Sequence, residues 1–248
     1  MRRSVVGQQR NGDLTMTSID RVLITGVDTR LGAAVRDHFA GRGALTVGTV
    51  TAERDRGPGE ELTLTADPAD RAEVSHAVAK AAAHMGGVDV LVVAHGLPVV
   101  APLADQPMAE FWAHVDATLT GSFLYAQAVA DHMRHSGTGG RIVLTTSRWH
   151  VGGDGLAAVA TAAGGIVALT KSLTRDFGGF GVGVNAVALG ALDSEWSVCD
   201  GGGGQPPGGR TGTVEQAAAV IGLLSRRQLG AAVGQIVNVD GGLSRNRV

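Results

Sequence analysis

Ser147, Arg148 and His150 put a hydroxyl, a guanidinium and an imidazole within four positions, at the end of the apolar run GRIVLTTS. An imidazole can hand over a proton near neutral pH. A hydroxyl or guanidinium can polarise an oxygen on which negative charge develops, and Arg148 could equally bind a carboxylate. The set suits acid-assisted chemistry at an oxygen of a small molecule. It equally suits a solvated loop in which Trp149 covers the core edge, because loop side chains face water by default. His95, beside Gly96, offers a second imidazole, and Asp116 a carboxylate that reads as surface or interface.

A different chemistry is offered by TGVDTRLG, Thr25 to Gly32. Gly26 allows a tight turn, Gly32 allows a helix to lie close to a sheet, and the helix entered near Arg30 and Leu31 presents unpaired N–H groups to an anion such as a diphosphate. Taken alone, the same residues make a plain strand-to-helix turn.

The elements that must position these groups alternate along the chain. Strand-length apolar runs at Arg21–Thr25, Ala44–Val50, Glu61–Leu64, Val88–Ala94, Arg141–Thr145, Val182–Ala188 and Gln235–Val239 are separated by helical patterns at about Arg30–Gly41, Pro68–His84, Met108–His135, Leu156–Phe177 and Val214–Leu224. Such alternation predicts an α/β, doubly wound, seven-stranded parallel sheet covered on both faces. Ligands then sit beyond the carboxyl ends of the strands, at the turns after Thr25, Val50, Ala94, Thr145 and Ala188. Residues 20–248 are expected to form one domain behind a flexible extension, residues 1–19, and the glycine- and proline-rich Asp200–Gly212 is expected to be a mobile loop.

Composition narrows the function classes. The chain of 248 residues is 44% apolar, carries 18% charged residues and has a net charge of −2, so no basic surface for nucleic acid is indicated. The longest apolar runs are too short to cross a bilayer, so the chain reads as soluble and cytoplasmic, with no membrane partner. Cys199 is the only cysteine, which leaves no disulfide and no cysteine-based metal site. No metal is expected.

Four further segments carry a family resemblance: ADP at Ala66–Pro68, VVAHG at Val92–Gly96, VNAVALG at Val184–Gly190 and GQIVNVDGGLS at Gly234–Ser244. With the first glycine turn, they resemble the short-chain dehydrogenase/reductase family in order and spacing over roughly residues 20–245, which implies a Rossmann-type fold. The resemblance places a dinucleotide on Gly26, Arg30, Leu31 and Gly32, on Asp67 at the adenine, on Ala94 and Gly96, and on Gly190 and Ser194 beside the nicotinamide. Arg30 stands where the middle glycine is usual, and TVTAERD after the second strand lacks the acid that binds the ribose hydroxyls of NAD. With Arg54 close by, NADP(H) is the implied cofactor.

The largest departure lies in GLAAVATAAGGIVALTK, Gly155 to Lys171. The family's catalytic tyrosine and lysine align with Val159 and Ala163, its helix asparagine with Thr118, and its serine with Ser147, beside which Thr146 is a neighbouring substitute. Neither valine nor alanine transfers a proton. The sole tyrosine, Tyr125, falls on a different helix. Three readings follow. The first is an atypical NADP(H)-dependent reductase of a small-molecule carbonyl or enone using Ser147, Arg148 and His150. The second is a catalytically inactive subunit of an active reductase, and the third a repurposed cyclase, isomerase or dehydratase. The family's oligomers imply a homo-oligomer, or a hetero-oligomer with a reductase, formed through Met108–His135 and Leu156–Phe177. The lysine-poor basic set, Lys80 and Lys171 among 21 basic residues, fits secondary metabolite biosynthesis.

Overall fold

A computed structural model describes residues 21–52, 62–201 and 205–244. The expected N-terminal extension, Arg54 and part of the glycine-rich loop lie outside them. The seven strands are β1 (Arg21–Thr25), β2 (Leu45–Val50), β3 (Thr63–Thr65), β4 (Val90–Val93), β5 (Gly140–Ser147), β6 (Val182–Leu189) and β7 (Ile236–Val239). They form one parallel sheet in the order β3-β2-β1-β4-β5-β6-β7. Helices on both faces explain why β5 and β6 are buried at every position. The strand order reverses direction between β1 and β4, and there the sheet opens the crevice in which such folds hold ligands.

The helices are α1 (Arg30–Ala40), α2 (Arg71–Met85), α3 (Met108–Val115), α4 (Gly121–Ser136), α5 (Ala157–Phe177) and α6 (Val214–Leu224). α2, α4 and α5 bury Val78, Ala81, Val129, Met133 and Ile166 against one face of the sheet. α1 and α6 bury Leu31, Val35, Ala218 and Ile221 against the other. Local chemistry sets the helix starts. Thr29 caps α1, Asp70 accepts from two backbone amides at the head of α2, and Thr213 with Gln216 forms a reciprocal capping box on α6.

Three expectations change. The pattern read as one helix over Met108–His135 is broken by a π-helical turn at Asp116–Thr120 between α3 and α4. An extra residue in one turn leaves the apolar period nearly intact, so the sequence does not display it. The segment Ala157–Phe180 is, by length and composition, apolar enough to cross a bilayer, contrary to the reading that every apolar run is too short. Its Ala162, Ile166, Thr170 and Leu173 are nevertheless buried within the protein. Finally, parts of Asp200–Gly212 are held in place. Gly212 exchanges backbone hydrogen bonds with Ala191 and Asp193, and Pro206 is buried.

Candidate functional site

The first turn is built as the glycine spacing requires. Gly26 has φ +68°, and a Cβ at Gly32 would stand 2.0 Å from the Gly26 carbonyl oxygen, so α1 can approach the turn only without a side chain there. Thr29 Oγ1 donates to the Gly26 carbonyl at 2.8 Å and accepts from Gly32 N at 3.0 Å. Leu31 is fully buried in the α1 face of the core. Arg30 lies at the surface, and both of its terminal nitrogens reach the Asp193 carboxylate at 3.3 Å, while its backbone N donates to Glu195 Oε1 at 3.4 Å. The pair holds the guanidinium above and the carboxyl below their usual pKa ranges.

At the opposite end of the crevice, Asp67 accepts from Ala69 N at 2.8 Å and shapes the entry to α2. Ala94 is buried, and its N donates to Thr25 Oγ1. Gly96, with φ +84°, brings its backbone against Thr118 in the π turn. Between these residues sits His95. Its Nδ1 pairs with Thr25 Oγ1 at 2.7 Å, and its ring lies 5.6 Å from that of Tyr125. Burial pushes its pKa down to about 4, opposed only weakly by the Ala117 carbonyl, to which Nε2 makes no hydrogen bond of acceptable geometry. Gly26, Val50, Thr51, Pro68, His95 and Tyr125 line a small pocket that opens to solvent at this end of the crevice.

Ser147, Arg148 and His150 lie at the carboxyl end of β5, each held by a separate contact. Ser147 is buried, and its Oγ accepts from Trp149 N at 3.2 Å, capping a 3₁₀ turn over Arg148–Val151. His150 Nδ1 lies 3.0 Å from the Ser147 carbonyl, to which it donates. Arg148 lies flat over Gly190, where a Cβ would stand 2.2 Å from Arg148 Cδ. Its guanidinium stacks 4.1 Å above the Trp149 ring. Arg148 Nε donates at 2.6 Å to Asp200 Oδ1, with both side chains only 10% exposed. Asp200 also accepts from Trp149 Nε1 at 3.0 Å and from Ala191 N at 2.6 Å. Ser194, expected at the nicotinamide, instead accepts from Trp196 N.

Val159 and Ala163 are both buried on α5. Val159 clusters with Leu156, Trp149 and Cys199. Thr146 Oγ1 donates to the Ala163 carbonyl at 3.0 Å, and Lys171 Nζ donates to the Gly234 carbonyl. Tyr125 donates from inside the core to Thr49 Oγ1 at 3.2 Å, and burial pushes its hydroxyl up to about 12.

The residues present do not fit a dinucleotide as they are arranged. Glu195 faces the amide at the head of α1, Asp193 takes the Arg30 guanidinium, and Arg148 covers Gly190. Sequence reasoning missed Asp193, Glu195 and Asp200, the three acids that make these contacts. The signal available was the two arginines, Arg30 and Arg148, for which Asp193 and Asp200 supply carboxylates of opposite sign.

The parallel sheet, the glycine turn at the head of α1 and the β5–β6 crevice define a short-chain dehydrogenase/reductase. Residues 30–244 match a family described as enoyl-(acyl carrier protein) reductase, and the chain belongs to the short-chain dehydrogenase/reductase family. It is 31% identical over 243 residues to the short-chain reductase protein NovJ of Streptomyces niveus, covering 89% of this chain and 92% of that protein. It is 27% identical to the 3-oxoacyl-[acyl-carrier-protein] reductase FabG of Escherichia coli, covering 89% and 96%. With (2S)-[(R)-hydroxy(phenyl)methyl]succinyl-CoA dehydrogenase subunit BbsD of Thauera aromatica it shares 30% identity, covering 90% and 95%. A crystal structure of a short-chain dehydrogenase/reductase from Mycobacterium marinum superposes with a TM-score of 0.85 at 25% identity, covering 92% of this chain and 96% of that one.

Proposed function

We propose that this chain is a non-catalytic subunit that assembles with a catalytically complete reductase of its own family, one acting on a small-molecule carbonyl. The observation that carries the reading is the pair Val159 and Ala163 on α5, buried side chains with no proton to give, at the positions aligned with the family's tyrosine and lysine. General acid catalysis contributes on the order of 10²–10⁴ in rate, and the nearby hydroxyls do not replace it. Ser147 is engaged with the Trp149 amide, Thr146 with the Ala163 carbonyl, and Tyr125 lies in the core.

The relatives support the carbonyl chemistry assigned to the partner, since one is named as a 3-oxoacyl-[acyl-carrier-protein] reductase and another as a dehydrogenase subunit. A contact surface is at hand. Leu103, Met108, Trp112 and Val151, around α3 and the turn after β5, are all more than half exposed, and large exposed apolar side chains that gather in one region mark interaction surfaces. In any form of the chain that opens the dinucleotide crevice, Arg30 and the absence of an acid at Thr51 favour NADP(H) over NAD(H).

The test is light scattering of the purified chain alone and mixed with a complete short-chain reductase from the same organism, with carbonyl reduction followed by NADPH absorbance. Expected are a species above monomer mass, no turnover by the chain alone, and a mixed oligomer with altered reductase rate or stability. Turnover by the chain alone that is lost in Ser147→Ala and His150→Ala would replace this reading with the atypical reductase, in which His150 beside Ser147 supplies the proton.

A further inference from the structure

We propose that the segment Ala191–Asp200 competes with a dinucleotide for its crevice, so that the chain folds with Arg148 and Asp200 closed over Gly190 and with the carboxylates of Asp193 and Glu195 set at the head of α1. The inference deepens the proposed function and rests on that reading for its purpose, since a subunit that does no hydride chemistry gains nothing from holding the cofactor. In a mobile lid the backbone is free to swing. Here the segment is tied along its length. Leu192 and Trp196 are buried in the same core layer as Leu31 and Val27. Leu192 N donates to Ser197 Oγ at 2.7 Å, and Gly212 N closes on the Ala191 carbonyl at 2.8 Å.

Its charged groups stand along the path of the ligand. A diphosphate binds at a helix N-terminus because unpaired amides there attract negative charge, and Glu195 brings a carboxylate to that place on α1. Asp193 takes the guanidinium best suited to a phosphate. Asp200 accepts three hydrogen bonds, from Arg148, Trp149 and Ala191, so the nearly buried pair with Arg148 has a satisfied carboxylate rather than an orphaned one. That pair draws Arg148 across Gly190, which the resemblance sets against the nicotinamide. Only a glycine there admits the Arg148 side chain.

Cys199 joins this arrangement to the lost catalysis. It packs against Val159, Leu156 and Trp149. The valine standing at the tyrosine position is therefore part of the floor on which the segment rests. Cys199 itself is an inert filler, its thiol pushed up to about 11 by burial, with the Asp200 carboxylate adding to the effect.

The experiment is a calorimetric titration of the full-length chain with NADPH and with NADH, alongside the double variant Arg148→Ala/Asp200→Ala, which removes both partners and leaves no buried charge unpaired. The wild-type chain is expected to show no saturation up to about 1 mM nucleotide, and the double variant to gain affinity by about tenfold or more, with NADPH ahead of NADH. Micromolar NADPH binding by the wild type would overturn the inference. So would a folded double variant that binds no better. Amide hydrogen exchange supplies a measurement that needs no variant: the Ala191 and Leu192 N–H groups should be protected nearly to the level of β5, and rapid exchange at both would mark a mobile lid instead. None of these outcomes depends on oligomer mass or on partner activity, so failure here leaves the subunit reading to its own test.

Discussion

Lowering the pH from 7 to 5 should destabilise the protein through one side chain, His95. Its imidazole is buried in the crevice between Thr25 and Tyr125 with a folded-state pKa of about 4, against 6.5 when exposed. The unfolded chain therefore takes up a proton that the folded chain refuses, and stability present above about pH 6.5 is lost as the pH falls toward 4. At pH 5 the difference in proton binding amounts to about 2 kcal/mol, and at pH 7 to about 0.2 kcal/mol, using 1.36 kcal/mol per pKa unit. With a urea slope of about 2–3 kcal/mol/M, the unfolding midpoint should fall by roughly 0.6–1 M between the two conditions from this group alone. His38 and His114 are also held low by burial and add to the trend. The comparison is therefore with His95→Asn, which cannot titrate. Urea unfolding followed by tryptophan fluorescence at both pH values isolates His95 as the difference between wild type and variant. Equal pH dependence in the two proteins would refute the reasoning, and with it the picture of a buried, neutral imidazole between Thr25 and Tyr125.

Other outcomes are expected from single contacts. Gly32→Ala forces a methyl group to 2.0 Å from the Gly26 carbonyl and should cost about 3 kcal/mol, read as a lowered unfolding midpoint. Asp200→Asn leaves the Arg148 guanidinium nearly buried without its counter-charge and should cost about 3–5 kcal/mol, whereas Asp193→Asn, at an exposed pair, should leave the midpoint unchanged within error. Val159→Tyr with Ala163→Lys should give no carbonyl reduction on its own, and measurable NADPH oxidation only when Arg148→Ala and Asp200→Ala are added. Activity in the two-residue variant alone would mean that the crevice is open.

The sheet was readable because strands covered on both faces are mostly apolar, as in Val182–Ala188, where the one strongly polar residue, Asn185, bonds to the backbone of Ala232 and Gln235. Boundaries were less so. The second helix begins at Arg71 rather than Pro68 because Asp67 and Asp70 spend their carboxylates on local amides, which holds the intervening residues in a turn. In the site, Ser147, Arg148 and His150 were picked out by residue type, and each side chain is engaged locally, Ser147 by the Trp149 amide, His150 by the Ser147 carbonyl and Arg148 by Asp200. What escaped were partners distant in sequence. Arg148 and Asp200 are 52 positions apart, Arg30 and Asp193 163 apart, and the glycines after Asp200 made its surroundings look structureless. Composition registers a segment's local flexibility and is blind to one strong contact that removes it.

The clustering of Cys199 with Val159 has a consequence for any attempt to build an acid into α5. A tyrosine restored at Val159 would be set against Cys199, Leu156 and Trp149, and would have to displace the segment before it could face a ligand. Releasing the segment first, with valine still in place, would uncover a crevice without an acid. On the function proposed above, a tyrosine at Val159 and an opened crevice have to be supplied together, so neither change alone should yield a carbonyl reductase.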